Sequence, residues 1–185
     1  MACALTALNS TTGCPDNTGG LQYSYYTLLA NIASVTATNN LITAITMSGA
    51  TDWEKLEYDK NDTSYFNQPG ARFNDIGVLS YPAEALLQFG GFNAAYSLAA
   101  DSTGDCCNLV FIHVLTNGQR VVQGIELDAA ATGGFTGSKI RDTKVTPTQN
   151  TNTAAEEAFL QYLIRGTTKK LAPFTDLTDA EIEAL

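Results

Sequence analysis

The clearest pattern of apolar and polar positions in the chain is a strand, a turn and a second strand between Asn108 and Leu127. Two apolar runs, at 109–115 and 120–125, flank the dipeptide Asn117-Gly118. These two residues accept positive φ at both central positions of a type I′ turn, so the pattern is the strongest short-range signal for a hairpin.

A two-residue loop would also fix the register of this hairpin, because pairing proceeds outward from the turn. It pairs Thr116 with Gln119, His113 with Val122, and Phe111 with Gly124. Both faces of the first strand are apolar, one with Leu109, Phe111, His113 and Leu115 and the other with Val110, Ile112 and Val114. A sheet with one wet face would alternate apolar and polar positions. We therefore expect the hairpin inside a sandwich or covered by another element, which could be a second copy of the chain.

Alternation with a period of two predicts further strands on both sides of this hairpin. The two nearest the amino terminus, Leu21–Leu29 and Leu41–Met47, carry no charged side chain. Further strands are predicted at Asp52–Lys60, Ala71–Tyr81 and Ser138–Thr146. An exposed loop is expected between the first two of these three.

A helix is predicted after Pro82, which a helix accepts in its first turn. Ala85, Phe89, Phe92 and Tyr96 follow at helical spacing, and they predict about four turns that pack an apolar stripe on a sheet.

Two capping-box patterns predict helices near the carboxyl terminus. Thr153-x-x-Glu156 precedes a predicted helix at Ala154–Arg165, and Thr178-x-x-Glu181 begins a short terminal one. Neither helix is long enough to be stable alone, so both must dock on the rest of the chain.

Composition places the chain among folded proteins with an unusual surface. Its 185 residues suit a single domain, and 44% of them are hydrophobic. Charged residues make up 16%, below the usual value of about 25%. A surface of uncharged polar residues fits a protein that lies against other protein, and it fits a secreted β protein equally well.

The net charge of −9 is concentrated in the first 119 residues, which hold 10 acidic and 3 basic side chains. Five acids lie between Asp52 and Asp62, beside two lysines. This balance argues against binding to nucleic acid, which needs clustered Lys and Arg. The acidic stretch is either a solvated edge or a surface that repels DNA in a conduit.

Residues that could carry chemistry are few. The cysteines at 3, 14, 106 and 107 lack metal-site spacing, which leaves structural thiols, a Cys3–Cys14 bridge or a chemical role open. The single histidine, His113, lies in an apolar strand and is predicted to be a core residue. Phosphate-binding loops, zinc signatures and nucleophile elbows do not occur in the sequence. We therefore expect no enzyme activity, no cofactor and no metal.

Targeting patterns are also missing from the sequence. It shows no Sec-type signal, and no apolar run approaches the ~20 residues of a membrane span. We expect a soluble protein without a membrane partner.

The order of these elements resembles that of tail tube proteins of long-tailed bacteriophages and of the inner tubes of contractile injection machines. The amino terminus adds a second resemblance. It opens Met-Ala-Cys-Ala-Leu and continues Cys-Pro-Asp-Asn-Thr-Gly-Gly-Leu at 14–21, similar to phage structural proteins with a Met-Ala-Cys start and a Cys-x-Asp-x-x-Gly-Gly element. The stretch Ile125–Thr146 is also similar to that group.

The resemblance implies an α+β, mainly β fold: a tail-tube-like β-sandwich or barrel with one flanking helix. The two capping boxes add a helical C-terminal tail beyond the point where that family usually ends. Together these divide the chain into an N-terminal arm (1–20), a tail-tube-like β domain (21–150) and a helical C-terminal extension (151–185). In that family such domains form hexameric rings that stack into a tube through which DNA passes.

The same resemblance implies the partners and the site residues. The partners are other copies of the chain, other tail proteins and DNA in passage without specific binding, in a virion tail assembled in the host cytoplasm. The acidic loop that would line the lumen or join rings contains Asp52, Glu57, Asp59 and Asp62. Subunit contacts are expected at Leu21, Tyr23, Tyr25, Leu41 and Ile45, and the core hairpin contains Phe111, His113, Asn117, Gly118 and Gly124.

Two alternatives stay open from the sequence. One is a different ring protein of the tail or neck. The other is a glycan- or receptor-binding β module, such as a tail fibre, pilin or adhesin domain, for which Trp53 beside Tyr58 is the sequence feature.

Overall fold

The computed structural model describes residues 20–49, 53–57, 64–69, 72–73, 79–90, 108–127, 144–150 and 159–185, and these are mainly β. The strands are β1 (Leu21–Leu28), β2 (Ile32–Thr38), β3 (Leu41–Met47), β4 (Glu54–Glu57), β5 (Tyr65–Asn67), β6 (Arg72–Phe73), β7 (Leu79–Gly90), β8 (Leu109–Leu115), β9 (Arg120–Gln123), β10 (Lys144–Asn150), β11 (Phe159–Thr168) and β12 (Phe174–Thr175). A 3-10 turn at Leu29–Asn31 joins β1 to β2, and the helix α1 spans Asp179–Ile182.

The strands form two sheets in a sandwich-like arrangement that does not close into a barrel. The seven-stranded sheet has the order β2-β3-β12-β9-β8-β1-β4. The five-stranded sheet has the order β10-β11-β7-β5, with β6 also paired to β7. Among the described strands only β12 and β3 run parallel. The central hairpin β8–β9 thus lies inside the larger sheet.

Two apolar clusters account for the two apolar faces of β8. Leu109 and Phe111 pack between the sheets, against Leu87 and Phe89 of β7 and Ile164 of β11. On the opposite face, Val110, Ile112 and Val114 share a cluster with side chains from both ends of the seven-stranded sheet, including Tyr25 of β1, Val35 of β2 and Ile45 of β3. The larger sheet therefore curves around a core of its own.

The hairpin exists as predicted, but its register differs by one residue. His113 faces Val121 and Phe111 faces Gln123, so Gly124 does not face Phe111. The reason is a three-residue loop: the Gly118 amide donates to the Leu115 carbonyl at 2.9 Å, and Gly118 has φ +81°. A type I turn followed by a left-handed glycine replaces the expected type I′ turn.

The pair of positive φ angles expected at Asn117-Gly118 occurs instead between β2 and β3. Asn39 and Asn40 have φ +51° and +66°, and Thr38 pairs with Leu41 across them. Asn tolerates this region because its short side chain bonds locally. The strand β2 that this turn creates was not predicted.

The predicted helix after Pro82 is wrong, because residues 79–90 form β7. Ala83, Ala85, Leu87 and Phe89 are buried and alternate with less buried neighbours. A spacing of four, as from Ala85 to Phe89, fits one helical turn and equally two strand pleats. Pro82 is accommodated because it lies between the two segments of β7 that pair on this side: β5 pairs with β7 only as far as Glu84, and β6 pairs with Leu79 and Ser80. Phe92 and Tyr96 lie outside the described residues.

The predicted helix at Ala154–Arg165 is also wrong from Phe159 onward, where β11 forms between β7 and β10. Leu160, Tyr162 and Ile164 are buried at every second position, facing the cluster between the sheets. Packing therefore outweighs the local capping signal, whose residues Thr153 and Glu156 lie outside the described range. Because β11 and β12 occupy the interiors of the two sheets, residues 159–185 are not a helical extension.

The terminal capping box is confirmed. The Thr178 hydroxyl accepts from the Glu181 amide, and the Glu181 carboxylate accepts from the Thr178 amide at 2.7 Å. The resulting helix α1 buries Ile182 completely.

Some of the predicted strands are confirmed, and others differ from the structure. Leu21–Leu29 and Leu41–Met47 are confirmed as β1 and β3, and Asp52–Lys60 contains β4. The segment Ala71–Tyr81 holds β6 and the start of β7 rather than one strand. The last predicted strand, Ser138–Thr146, overlaps β10 at 144–146, and its residues 138–143 lie outside the described residues. Except for Gly20, the predicted arm lies outside the described residues.

Candidate functional site

His113 is the centre of a buried polar network that links the two sheets. Its Nδ1 lies 2.8 Å from the Ser24 hydroxyl oxygen and its Nε2 lies 2.9 Å from Gln123 Oε1. Because that amide oxygen can only accept, Nε2 carries the proton and Nδ1 accepts from Ser24. The Gln123 amide then donates to the carbonyls of Ala83 and Ile164 at 3.4 and 3.5 Å, on the other sheet.

The surroundings of His113 fit a packing role rather than acid-base chemistry. Burial lowers its pKa to about 4, against a smaller opposing effect of the bond to Gln123. The imidazole is therefore neutral near pH 7, and its two partners are a hydroxyl and an amide that do not titrate there. Its ring stacks on Phe111 at a centroid distance of 5.7 Å.

A second polar cluster fixes α1 to the seven-stranded sheet. The Tyr23 hydroxyl donates to Asp179, and Arg120 Nη2 lies 2.8 Å from Asp179 Oδ1. The Tyr25 hydroxyl donates to Glu183 Oε1 at 2.9 Å. These bonds join β1 and β9 to the end of the chain.

The pKa shifts in this cluster keep the tyrosine donors protonated and the acceptor Asp179 charged. Burial would raise the pKa of Asp179, but bonds from Tyr23 and Arg120 and the positive charge of Arg120 outweigh it, so the pKa is lowered. Burial and the bond to Glu183 raise the pKa of Tyr25. The tyrosines thus stay protonated and the carboxylate stays charged, which suits docking of the helix and leaves no activated nucleophile.

Of the four acids proposed to line a lumen, only Glu57 lies in the described residues. It is exposed on β4, an edge strand of the seven-stranded sheet, and its Oε1 is 3.1 Å from Lys55 Nζ. Lys55 also lies 4.6 Å from the ring centroid of Tyr23. The prediction for Asp52, Asp59 and Asp62 stays a prediction.

The residues predicted for subunit contacts occupy different environments. Leu21, Tyr25 and Ile45 are buried in the chain's own clusters, and Tyr23 is partly buried beside α1. Leu41 is exposed. Of these five side chains, Leu41 is thus the one that a neighbour could cover without rearrangement.

The edge strands of the two sheets differ in how they are protected. The β4 edge is four residues long and charged, β5 has three residues, and β10 contains Pro147, which cannot donate a backbone hydrogen bond. The β2 edge is seven residues long and contains neither charge nor proline. Its pairing with β3 shifts register at two points, but charge, proline and short length do not protect it.

Sequence reasoning did not find the exposed apolar residues Phe174 and Leu171. Phe174 pairs with Leu41 across β12 and β3, and both side chains are exposed. The residues from Ala172 to Leu177 do not alternate apolar with polar side chains, so nothing in the local sequence indicated an exposed Phe174.

An open cleft of about 320 Å³ lies along β7 and β11, with Pro69 and Pro82 among its walls. Its charged groups are already paired: Glu84 accepts from Tyr65 and from Arg165, each at 2.8 Å. These bonds lower the pKa of Glu84 in spite of its partial burial. The cleft therefore offers little free charge to a ligand.

Trp53, the feature that suggested glycan binding, is 6% exposed and belongs to the core cluster of the curved sheet. Its ring does not present a face for a sugar to stack on. The described residues contain no group of three or more His, Cys, Asp or Glu side chains placed to hold a metal ion. No helix within those ranges has the length and apolar character to cross a membrane.

Comparisons of the chain with protein-family models, with curated proteins and with solved structures found no match.

Proposed function

We propose that this chain is a structural virion protein, a subunit of stacked hexameric rings that form a bacteriophage tail tube for genome ejection. Support comes from the resemblance in the amino-terminal residues and from a mainly β, two-sheet fold. The described parts of two predicted helices are strands, one of them the flanking helix that the resemblance implies, and the two-sheet arrangement remains. The proposal includes no catalytic activity and no cofactor.

The observation that carries the proposal is the long, uncharged edge of β2. Unpaired N–H and C=O groups along such an edge readily accept another strand, and monomeric proteins block them with charge, proline or short length. A closed ring covers each edge with the neighbouring subunit, through one patch that meets a different patch. Subunit contact would therefore prevent the uncontrolled strand pairing that the open edge of β2 allows in a single chain.

The acidic stretch around β4 fits the passage of DNA in this proposal. Lys and Arg that neutralise phosphates would bind DNA and slow its movement, whereas exposed carboxylates such as Glu57 repel it. DNA and other tail proteins are the further partners, and the virion tail, assembled in the host cytoplasm, is the proposed location.

Electron microscopy of the purified protein, together with analytical ultracentrifugation over a wide concentration range, tests the proposal. We expect rings or tubes whose abundance increases with concentration. A strictly monomeric species at the highest concentration reached would refute a self-assembling tube subunit.

A further inference from the structure

Part of the seven-stranded sheet extends beyond the second sheet. We call the part formed by β2, β3 and β12 the wing. In the described part of the chain, the cluster between the sheets takes its side chains in the larger sheet from β1, β4 and β8 and includes none from the wing. The wing thus continues the inner face of the sandwich past the point where the five-stranded sheet covers it.

Strand pairing shows that Phe174 and Leu41 lie on this inner face. Phe174 is directly opposite Val121, which in turn is opposite His113 of the network between the sheets. Residues directly opposite in a sheet point to the same side. Val121 is 4% exposed, whereas Phe174 is 42% and its neighbour Leu41 36% exposed. On the inner face, side chains are therefore buried on β9 and exposed on the adjacent strands of the wing.

The exposed surface around these two side chains carries few charges, one of which is Asp176, exposed two residues after Phe174. The strands β2 and β3 contain no charged residue, and their exposed positions are Ser, Thr, Ala and Leu41. Leu171, 53% exposed, follows the exposed Lys169 and the partly buried Lys170 just before β12. An apolar centre that lacks charge, with charges only at its border, is the anatomy of a protein–protein interface.

We propose that the wing, with Leu41 and Phe174 at its centre and Leu171 just before β12, is a docking surface for a second copy of this chain. Local charge favours this partner, because Lys169 is exposed at one border of the wing and a second copy exposes Glu54 and Glu57, beside Lys55, on its β4 edge. The inference rests on the proposed ring subunit and names the surface through which copies meet.

The test compares three variants with the wild type by sedimentation velocity. Leu41→Lys and Phe174→Lys place a charge in the centre of the wing, and Leu28→Lys places one at a side chain of similar exposure, 39%, at the end of β1. We expect at least tenfold weaker association for the two wing variants and unchanged association for Leu28→Lys. Melting temperatures show whether each variant folds. If a wing variant does not fold, Phe174→Ser replaces it.

A charge reversal tests the choice of partner surface. Lys169→Glu alone should weaken association, and Lys169→Glu combined with Glu57→Lys in one chain should restore much of it. If the wild type assembles and the wing variants assemble equally well, or if the double reversal restores nothing, the docking surface is wrong while the ring subunit stands. A wild type that stays monomeric overturns both.

Discussion

At Gly124 the backbone has φ +109°, and an added Cβ would lie 2.6 Å from the Leu109 carbonyl oxygen and 2.9 Å from Val110 Cα. Both atoms belong to the backbone of β8, so no side-chain rotation can relieve the contact. Gly124→Ala should therefore lower the free energy of unfolding by about 2–4 kcal/mol, measured by urea denaturation.

Gly118 provides the matched control for that substitution. It also has positive φ, +81°, but an added Cβ would meet nothing within 4 Å. Gly118→Ala should cost only the conformational penalty, about 1–2 kcal/mol. Equal losses for the two variants would show that the close approach to β8 does not matter.

His113 should make the stability of the protein depend on pH above the range in which carboxylates titrate. Its pKa is about 4 in the folded chain, below the 6.5 of a free imidazole, so the unfolded chain binds more protons between these values. Stability is fully present above pH 6.5 and falls as the pH drops toward 4, by about 3 kcal/mol in all. Free energies of unfolding measured from pH 7.5 to 4.5 test this.

The carboxylates with lowered pKa values, Glu84, Asp179 and Glu181, give a loss of the same sign, but below their ordinary values near 4. The decline between pH 6.5 and 5 thus belongs to the single histidine. His113→Gln should be less stable at pH 7.5 yet lack that slope. A slope that persists in this variant would contradict the assignment.

The helix α1 should be held more by burial than by its capping box. Ile182 is fully buried in the core of the curved sheet, and Thr178 caps the helix at an exposed position. Ile182→Ala should lower the free energy of unfolding by about 2–4 kcal/mol, and Thr178→Ala by about 1 kcal/mol. Chemical denaturation of both variants compares the two contributions, and a larger loss for Thr178→Ala would reverse this order.

Elements were predictable from the sequence where local pattern and packing agree. β1 and β3 are uncharged runs of strand length that follow turn residues, and the box at Thr178 satisfies its own backbone groups, so each could be predicted from its own residues. β7 and β11 could not be predicted in this way, because a spacing of four, as between Ala85 and Phe89 of β7, fits a helix face and a strand face equally. The predicted register of the hairpin was wrong because the same Asn-Gly dipeptide fits a two-residue loop and a three-residue loop.

The candidate surface was predictable in composition but not in position. The lack of charge from Leu21 to Met47 is visible in the sequence, and this stretch includes β2 and β3 of the wing. Which side chains there are exposed depends on where the five-stranded sheet stops, and on the arrival of β12 from the distant end of the chain. Leu21 and Ile45 were therefore expected at contacts although they are buried, and Phe174 was overlooked.

Replacing the acids of the proposed lumen should separate assembly from transport. With Asp52, Glu57, Asp59 and Asp62 changed to Gln or Lys, we expect tubes to form while DNA leaves assembled particles more slowly, because repulsion is lost. The rate of DNA ejection measures the effect, and Asp176→Asn, at another exposed acid, is the control. Ejection at the normal rate would exclude these residues from the lumen.

The bond between Tyr25 and Glu183 spans 158 positions of the chain. At about 5–20 residues per second, roughly 8–30 s of synthesis separate these two partners. Throughout that interval the core beneath β1 lacks Leu177 and Ile182, and the wing lacks β12. In a nascent chain the core beneath β1 is therefore incomplete, and β12 is missing from the wing. A docking surface that includes Phe174 can consequently bind only through subunits whose synthesis has passed this residue.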